Sequence, residues 1–458
     1  MSTELKILSF NVWGLAFVTK DRPARLAAIA AYLAQADYDI VCLQEIWIHK
    51  EFESMRQDVQ GNYQYSRFFH TGALGSGLAV FSRLPIVETK ALPYSLSGLP
   101  SEVIAGDFFV NKAAAKAVVL HPELGEIEIW DTHMHAAGED GPQTRQAHRM
   151  AQAWQLATEV RRGAACGRYV FCMGDFNSQP FSVPIALMRT YGGLRDSYLE
   201  THLQANDAPP MNISASNAIA SLGMTCDSSI NTYSAGKNIP PIIQAQGGKR
   251  LDYIFFREGR GSTHRVRCTS SDVVLTGLVP GQSFSYSDHF GLTSTFKFEP
   301  ASGGSTASTG GAGETSAASA PSSQARLLPL DDESASGPPS PTSAYELHRV
   351  PSSDSTASAI RHSLASIRDY YHLAGKRTLR FEQYMVLCIV GMVALAVGSA
   401  WQPKSWIQPI FTLVAFALGA AGATFLYTGW LWGRWEKGIL DETMADMELQ
   451  LRALQHGS

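Results

Sequence analysis

Several residues able to do chemistry stand where an apolar run stops. Asn11 follows LKILSF and Glu45 follows DIVCLQ. His133 follows IEIWDT, Asp175 and Asn177 follow YVFCMG, and Asp288 and His289 lie in SYSDHF. One carboxylate at such a place is an ordinary cap or turn residue. Together these residues supply oxygen ligands, amides and imidazoles from several strand ends. That inventory suits a hard dication such as Mg²⁺ beside a phosphate ester. No CxxC or Cys/His cluster offers soft ligands, so zinc or copper fits less well. No GxxxxGK(S/T) stretch occurs, which argues against a Walker-type phosphate loop. Asp107 and Lys112 lie in AGDFFVNKAAAK. Their plain reading is a surface ion pair worth under about 1 kcal/mol. Phe108 and Phe109 beside them suit either a core or a lipid contact.

The elements that must hold these residues are strands and helices of a layered unit over residues 1–300. Strand-like apolar runs fall at Leu5–Val12, Ile40–Leu43, Leu78–Phe81, Ala117–Leu120, Ile127–Trp130, Tyr169–Met173, Leu251–Phe256, Asp272–Leu275 and Phe290–Phe298. Pro23 opens a helical Ala/Leu-rich stretch, and residues 144–162 read as a second helix. Many strands with helices between them predict an α/β or α+β sandwich. Six cysteines without paired spacing predict no disulfide framework, and Cys42, Cys166 and Cys172 read as small core residues.

Composition divides the rest of the chain. The 45% hydrophobic and 17% charged average excludes a wholly disordered protein. A net charge of -4 gives no basic footprint, so no nucleic-acid partner is expected. Residues 301–360, rich in Ser, Gly, Ala and Pro, predict a disordered linker. Residues 361–381 predict a basic amphipathic juxtamembrane segment, with Ser363, Leu364, Ile367, Tyr370, Tyr371 and Ala374 at helical spacing. No charge occurs from Tyr384 to Trp401 or from Ser405 to Gly433, so residues 382–433 predict a transmembrane helical hairpin. Arg368, Lys376, Arg377 and Arg380 precede it, Arg434 and Lys437 follow it, and the turn carries only Lys404. The positive-inside rule then puts the catalytic unit, the 434–458 tail and both termini in the cytosol. The first residues lack a basic then apolar signal pattern, which agrees.

SFNVWG, LQE, GLAVFSR, THMHA, GDFN, KRLDYIF and SDH occur in that order. The chain thereby resembles the endonuclease/exonuclease/phosphatase superfamily with its DNase I-like fold. Within it, TCDSSINTY and the C-terminal hairpin resemble the neutral sphingomyelinases and the fungal inositol phosphosphingolipid phospholipases C. The resemblance implies a four-layer sandwich of two central β-sheets flanked by helices. It implies a membrane sphingolipid as substrate, cleaved to ceramide and a phosphorylated head group.

On the matching motifs, Glu45 is expected as the main Mg²⁺ carboxylate, with Mn²⁺ an alternative ion. Asn11 assists at the metal or phosphate, and Asp288 lies near the metal. Asp175 and Asn177 orient water and phosphate oxygens. His289 is the expected general base, polarised by Asp252, although relatives divide that role with the Asp175 position. His133 binds the phosphate or leaving oxygen, and His135 is either a further site residue or a core histidine. Asp107 and Lys112 match an Asp–Lys switch over the site. The basic juxtamembrane residues predict activation by an anionic phospholipid such as phosphatidylserine, at an intracellular membrane such as endoplasmic reticulum or mitochondria. Competing readings are an inositol-lipid phosphatase, a nuclease and a silent membrane tether. Gln179 stands where the phosphatases' arginine would be, and no site residue is lost as a tether would allow.

Overall fold

The structure, a computed structural model, describes residues 3–301 and 353–456, apart from 74, 104, 105, 137, 139, 140, 207, 208 and 236. Most of the expected linker, 302–352, lies outside these residues.

Two six-stranded sheets form the centre. The first runs β11 (His264–Val274), β12 (Gly291–Pro300), β1 (Thr3–Asn11), β2 (Ile40–Gln44), β4 (Leu78–Ser82), β3 (Tyr65–Phe69). The second runs β5 (Ile86–Pro93), β6 (Ala113–His121), β7 (Gly125–His133), β8 (Tyr169–Asp175), β10 (Asp252–Arg257), β9 (Arg195–Asp196). Between the sheets, Leu5, Ile7, Ile40, Ile129, Phe171, Ile254 and Phe296 share one buried cluster. The alternate residues face outward, as strand geometry requires. Leu8, Phe10, Val41 and Leu43 pack under α1 (Arg22–Leu33) and α2 (His49–Val59). After the short α3 (Asp107–Val110), α4 (Gln143–Ala165) and α5 (Val183–Thr190) cover Trp130, Cys172 and Tyr253. The order is helices, sheet, sheet, helices, as expected. The short helices α6 (Ser197–Thr201), α7 (Ala215–Leu222) and α8 (Pro241–Ala245) lie in the connections.

Each sheet has one parallel pair at its middle, β1 with β2 and β7 with β8. Parallel strands end at the same edge, so Asn11 sits opposite Gln44, and His133 opposite Asp175. Antiparallel β10 begins at that edge, with Asp252 opposite Asp175. β12 runs antiparallel to β1, which brings the preceding His289 to the same edge. Gly174 has φ +133, and a Cβ there would lie 1.9 Å from the Thr132 carbonyl oxygen. The β7–β8 pair therefore needs glycine at that point.

Three strands carried no expected apolar run, the two-residue β9 among them. β5 is exposed along most of its length at a sheet edge, and β3 is only half buried. β11 also starts well before Asp272, because its outer half buries only alternate residues such as Val266 and Cys268. Cys42 and Cys172 are buried, but Cys166 is exposed after the last turn of α4.

Three C-terminal helices follow: α9 (Ser353–Gly398), α10 (Ile407–Phe425) and α11 (Trp432–His456), the last two joined by a π-helical stretch at Leu426–Leu431. Two helical runs, Asp354–Trp401 and Ile407–His456, are long and apolar enough to cross a membrane. Only 6% of the most apolar window of each is buried, which argues against a soluble core hairpin. α9 starts inside the stretch read as linker, so residues 353–360 are helical. Ala359 and Ile360 are buried in the α4/α5 cluster. Leu364, Ile367, Tyr370 and Ala374 are buried in that same cluster, with Leu440 and Met447 of α11. The stripe's apolar face is covered by protein, which leaves the exposed Arg361, Lys376 and Arg380 for a lipid surface.

Candidate active site

The loop after β1 is drawn tight against the end of β2. Gly14 N–H donates to the Glu45 carbonyl, and a Cβ at Gly14 would lie 2.4 Å from that oxygen. Glu45 itself has φ 63, a strained backbone for a glutamate. Arg25, fully buried on α1, donates to the carbonyls of Val12, Trp13, Lys20 and Tyr286. It ties the loop after Asn11 to the loop before Asp288. The sequence did not reveal this residue, since it lies in an ordinary helical stretch.

Asn11 joins the two sheets. Its amide nitrogen donates to Glu45 Oε1 and to Asp175 Oδ2, each at 3.1 Å. Its Oδ1 accepts from Trp13 N–H. In this arrangement Asn11 orients two carboxylates and turns its oxygen away from them. Asn177 also positions: its N–H donates to Asp175 Oδ1, and its side chain donates to the Met134 carbonyl.

Asp175 lies between two histidines. His133 Nε2 is 3.4 Å and His289 Nε2 is 3.8 Å from Asp175 Oδ2. Burial, and behind it the Asp252 carboxylate, hold the Asp175 acid up at about 7 against the pull of His289. His289 Nδ1 pairs with Asp252 Oδ2 at 2.9 Å. Burial alone would lower this imidazole; Cys226, Asp252 and Asp175 outweigh it and hold His289 well above the ordinary range. Thr225 Oγ1 accepts from the N–H of Leu251 and Asp252, and Asn231 donates to the Ser287 carbonyl. The TCDSSINTY segment thus supports the dyad from behind.

The other histidine has different neighbours. Lys112 Nζ lies 2.6 Å from His133 Nε2 and 3.0 Å from Nδ1. Burial first, then Lys112, pushes His133 well below the ordinary range. Lys112 is also 3.6 Å from Asp107 Oδ1. Both residues are buried, so the surface-pair reading is overturned. Asp107 Oδ2 takes the N–H of Ala136 and lies 2.6 Å from His135 Nδ1. Burial works to raise Asp107, but Lys112 and His135 hold it well below the carboxylate range. His135 is a site-supporting residue in this arrangement. Trp47, unsuspected from sequence, puts its ring 5.9 Å from Lys112 Nζ.

This flank meets the C-terminal helices. Phe108 stacks edge-on against Trp432 at 4.9 Å. His148 accepts from Gly98 N–H through Nδ1 and pairs with Glu436 of α11 through Nε2 at 3.0 Å. Tyr370 and Arg377 of α9 bond the same Glu436.

A dication has two conceivable cradles. Ligand atoms of Asp175, Asp252 and His289 lie within 4.8 Å of one another. There, however, His289 Nδ1 and Asp252 are already paired. The second cradle is Glu45 with Asp288. Burial raises the Glu45 acid, and the Asp288 carboxylate raises it further against Lys112. Asp288 Oδ1 is buried without a partner. Two oxygen ligands that repel each other, one of them orphaned, fit a hard cation.

Residues 8–289 match the Endonuclease/Exonuclease/phosphatase family. The chain belongs to that family, and within it to the branch of the inositol phosphosphingolipid phospholipases C and neutral sphingomyelinases. It is similar to the inositol phosphosphingolipids phospholipase C of Schizosaccharomyces pombe, 32% identical over 98% of this chain and 94% of that protein. It is also similar to human sphingomyelin phosphodiesterase 2, 30% identical over 64% of each chain. A solved structure of sphingomyelinase C from Streptomyces griseocarneus aligns over 64% of this chain and 99% of its own, with 16% identity and a TM-score of 0.44.

Proposed function

We propose that the chain is a membrane-anchored phospholipase C that hydrolyses sphingolipid phosphodiesters to ceramide and a phosphorylated head group. The observation that carries this reading is the buried line Lys112–His133–Asp175–His289–Asp252 beside Glu45 and Asp288. The names of the two relatives support the substrate class, and the Schizosaccharomyces pombe protein matches over the anchor as well.

Glu45 and Asp288 would hold Mg²⁺ or Mn²⁺. Bound there, such an ion neutralises the paired carboxylates, polarises phosphoryl oxygens and acidifies water. His289, oriented by Asp252, takes the proton of the attacking water when its ring is deprotonated. The water oxygen bonds to phosphorus as the bond to the ceramide oxygen breaks. Lys112, fixed by Asp107 and His133, supplies positive charge where that leaving oxygen becomes negative. Asp175 stands between the two histidines and fixes the distance between them.

The two apolar helical runs insert in an intracellular membrane, endoplasmic reticulum or mitochondria, with the catalytic unit and both termini on the cytosolic side. The flanking cations Lys376, Arg380, Arg434 and Lys437 support that orientation. Arg361, Lys376 and Arg380 face an anionic lipid such as phosphatidylserine, at about 1 kcal/mol per charge.

The test uses purified full-length protein in mixed micelles of sphingomyelin or inositol phosphoceramide, with both products weighed by mass spectrometry. Ceramide should form, EDTA should stop it, and Mg²⁺ should restore it. Glu45→Gln should weaken Mg²⁺ binding in a titration, while Asp252→Asn should not. Turnover that persists in EDTA, or release of inorganic phosphate in place of ceramide, overturns the reading.

A further inference from the structure

The C-terminal helices leave the sandwich at a definite edge. α4 begins at Gln143, beyond the strand end at His133, and His148 in its second turn pairs with Glu436 of α11 at 3.0 Å. Trp435 donates to the Ser95 carbonyl, and Trp432 meets Phe108. Further along α11, Leu440 and Met447 are buried in the α4/α5 cluster. At 1.5 Å per residue, Glu436 to Met447 covers about 16 Å of the sandwich's flank. The apolar run that ends at Gly433 therefore extends past the edge carrying Asn11, His133 and Asp175. In a membrane-anchored chain, that edge faces the bilayer.

Exposed apolar side chains gather at the same edge. Phe17 is fully exposed and Val18 is 68% exposed, both in the connection between β1 and α1. Val103, Ile230, Ile242 and Leu278 are exposed in three further connections that return to this edge. Among the described residues, the connections at the opposite edge carry no large exposed hydrophobic. Tyr65, Val87 and Leu120 at that end lie within strands.

The Phe17 turn is braced. Thr19 closes it, its N–H and its hydroxyl both donating to the Leu15 carbonyl, at 3.2 and 2.9 Å. At its base the Trp13 and Tyr233 rings lie 4.8 Å apart, and the Arg25 guanidinium sits 4.9 Å from the Trp13 ring. Phe17 has φ 65, a backbone that phenylalanine seldom adopts. Its side chain gains nothing from burial within the protein, and an apolar phase outside would supply that gain.

We propose that the Phe17–Val18 turn inserts into the bilayer interface and docks the site edge on the membrane. The inference rests on the membrane-anchored reading above and adds to the helical anchor a second contact made by the catalytic unit itself. Two apolar side chains at a turn tip can enter the boundary between head groups and acyl chains, while the exposed Lys20 behind them stays among the phosphates. The turn belongs to the first sheet, and the Phe108–Trp432 contact to the second. The two contacts flank the site and set its height over the lipid.

The test uses full-length protein in phosphatidylcholine vesicles that contain a spin-labelled lipid as quencher. In a Cys166→Ser background, where the remaining cysteines are buried, a fluorescent dye is attached through Phe17→Cys, Leu120→Cys or Leu413→Cys. The dye at 413 should be quenched as part of the span, the dye at 120 should not, and the dye at 17 should be quenched well above 120. Quenching at 17 no greater than at 120, with 413 quenched, overturns the docking. A dye at 17 that is shielded from water but not quenched by lipid assigns the turn to a protein partner and overturns it too. No quenching at 413 sinks the anchored reading and the docking with it. Activity gives an independent readout. Phe17→Ser with Val18→Ser should lower kcat/KM on sphingolipid in vesicles by about tenfold and leave it unchanged on a soluble short-chain analogue. An equal loss on both substrates overturns the docking. Wild type that cleaves neither substrate sinks the phospholipase C reading, and the dye then decides the docking alone.

Discussion

His133 and His289 stand on opposite sides of one carboxylate oxygen, at 3.4 and 3.8 Å, and both are buried. Their surroundings differ in the sign of one neighbour. Lys112 lies against His133, and Asp252 lies against His289. Burial pushes both imidazoles down; Lys112 adds to that push, whereas Cys226, Asp252 and Asp175 reverse it. The same residue type thus holds its proton weakly on one side and tightly on the other. The neighbour sets the direction of each shift, and the proposed mechanism uses that difference to place water activation at one end and leaving-group charge at the other.

The comparison breaks most completely at Asp252. Asp252→Asn removes the charge that raises His289 and disturbs its tautomer, and kcat should fall by about 10⁴, as for a triad aspartate. Steady-state kinetics of a folded variant would check this. A loss under about tenfold would make Asp175 the base and leave His289 a positioning residue.

The opposite end should yield a smaller effect. Lys112→Met should lower kcat by roughly a hundredfold, the usual cost of one transition-state charge contact. Because the pair is buried, Lys112→Met should also lower Tm, since Asp107 loses a buried charge partner. Adding Asp107→Asn should recover Tm without recovering kcat. If kcat returns with Tm, the pair is structural only.

Glu436→Gln sharpens the comparison from outside the site. Among the described residues, the His133 flank is the one tied to the C-terminal helices, through Gly98, His148 and Glu436. A neutral amide in place of the Glu436 carboxylate weakens the bonds to Arg377 and His148. Activity on vesicles should then drop several-fold while metal affinity is unchanged. Hydrogen exchange should rise in the 94–112 loop and remain unchanged around His289. Equal changes at both flanks would refute one-sided coupling.

The smallest effect is a pH dependence of stability. The folded pKa of His133 lies below its ordinary 6.5, so the unfolded chain binds more protons below that pH. This term is fully favourable above pH 6.5 and is lost as pH falls below it. In EDTA, Tm of the wild type should decline on acidification below pH 6.5, and His133→Asn should flatten that decline. The opposite sign holds for His289, whose raised pKa stabilises the fold below its ordinary 6.5 and loses that contribution as pH rises. His289→Asn should therefore leave the decline below pH 6.5 as it is and remove a loss of stability above pH 6.5; slopes indifferent to both substitutions would refute the charge difference.

The sequence by itself determined the site's inventory and the outline of the chain. Each strand-end residue was legible because a short, almost continuously buried apolar run stops at it, as LKILSF does at Asn11 and YVFCMG near Asp175. The apolar C-terminal stretches were legible because length and the lack of charge are local properties. Edge strands such as β5 were not, since an exposed strand has no apolar signature. What only the tertiary structure decided was which groups touch. Lys112 and His133 are apart along the chain, and so are Asp252 and His289; the β6–β7 pairing brings the first pair together, whereas the second meets only because the two sheets pack face to face. Asp107 and Lys112 read as a surface pair from spacing, yet the loop between β5 and β6 folds them inward. The stripe Leu364–Ala374 read as amphipathic, but periodicity shows that a face is apolar without naming what covers it, and here protein does. Charge state followed the same rule: an imidazole's pKa is set by burial and by charges within a few ångströms, and those distances exist only in the folded chain.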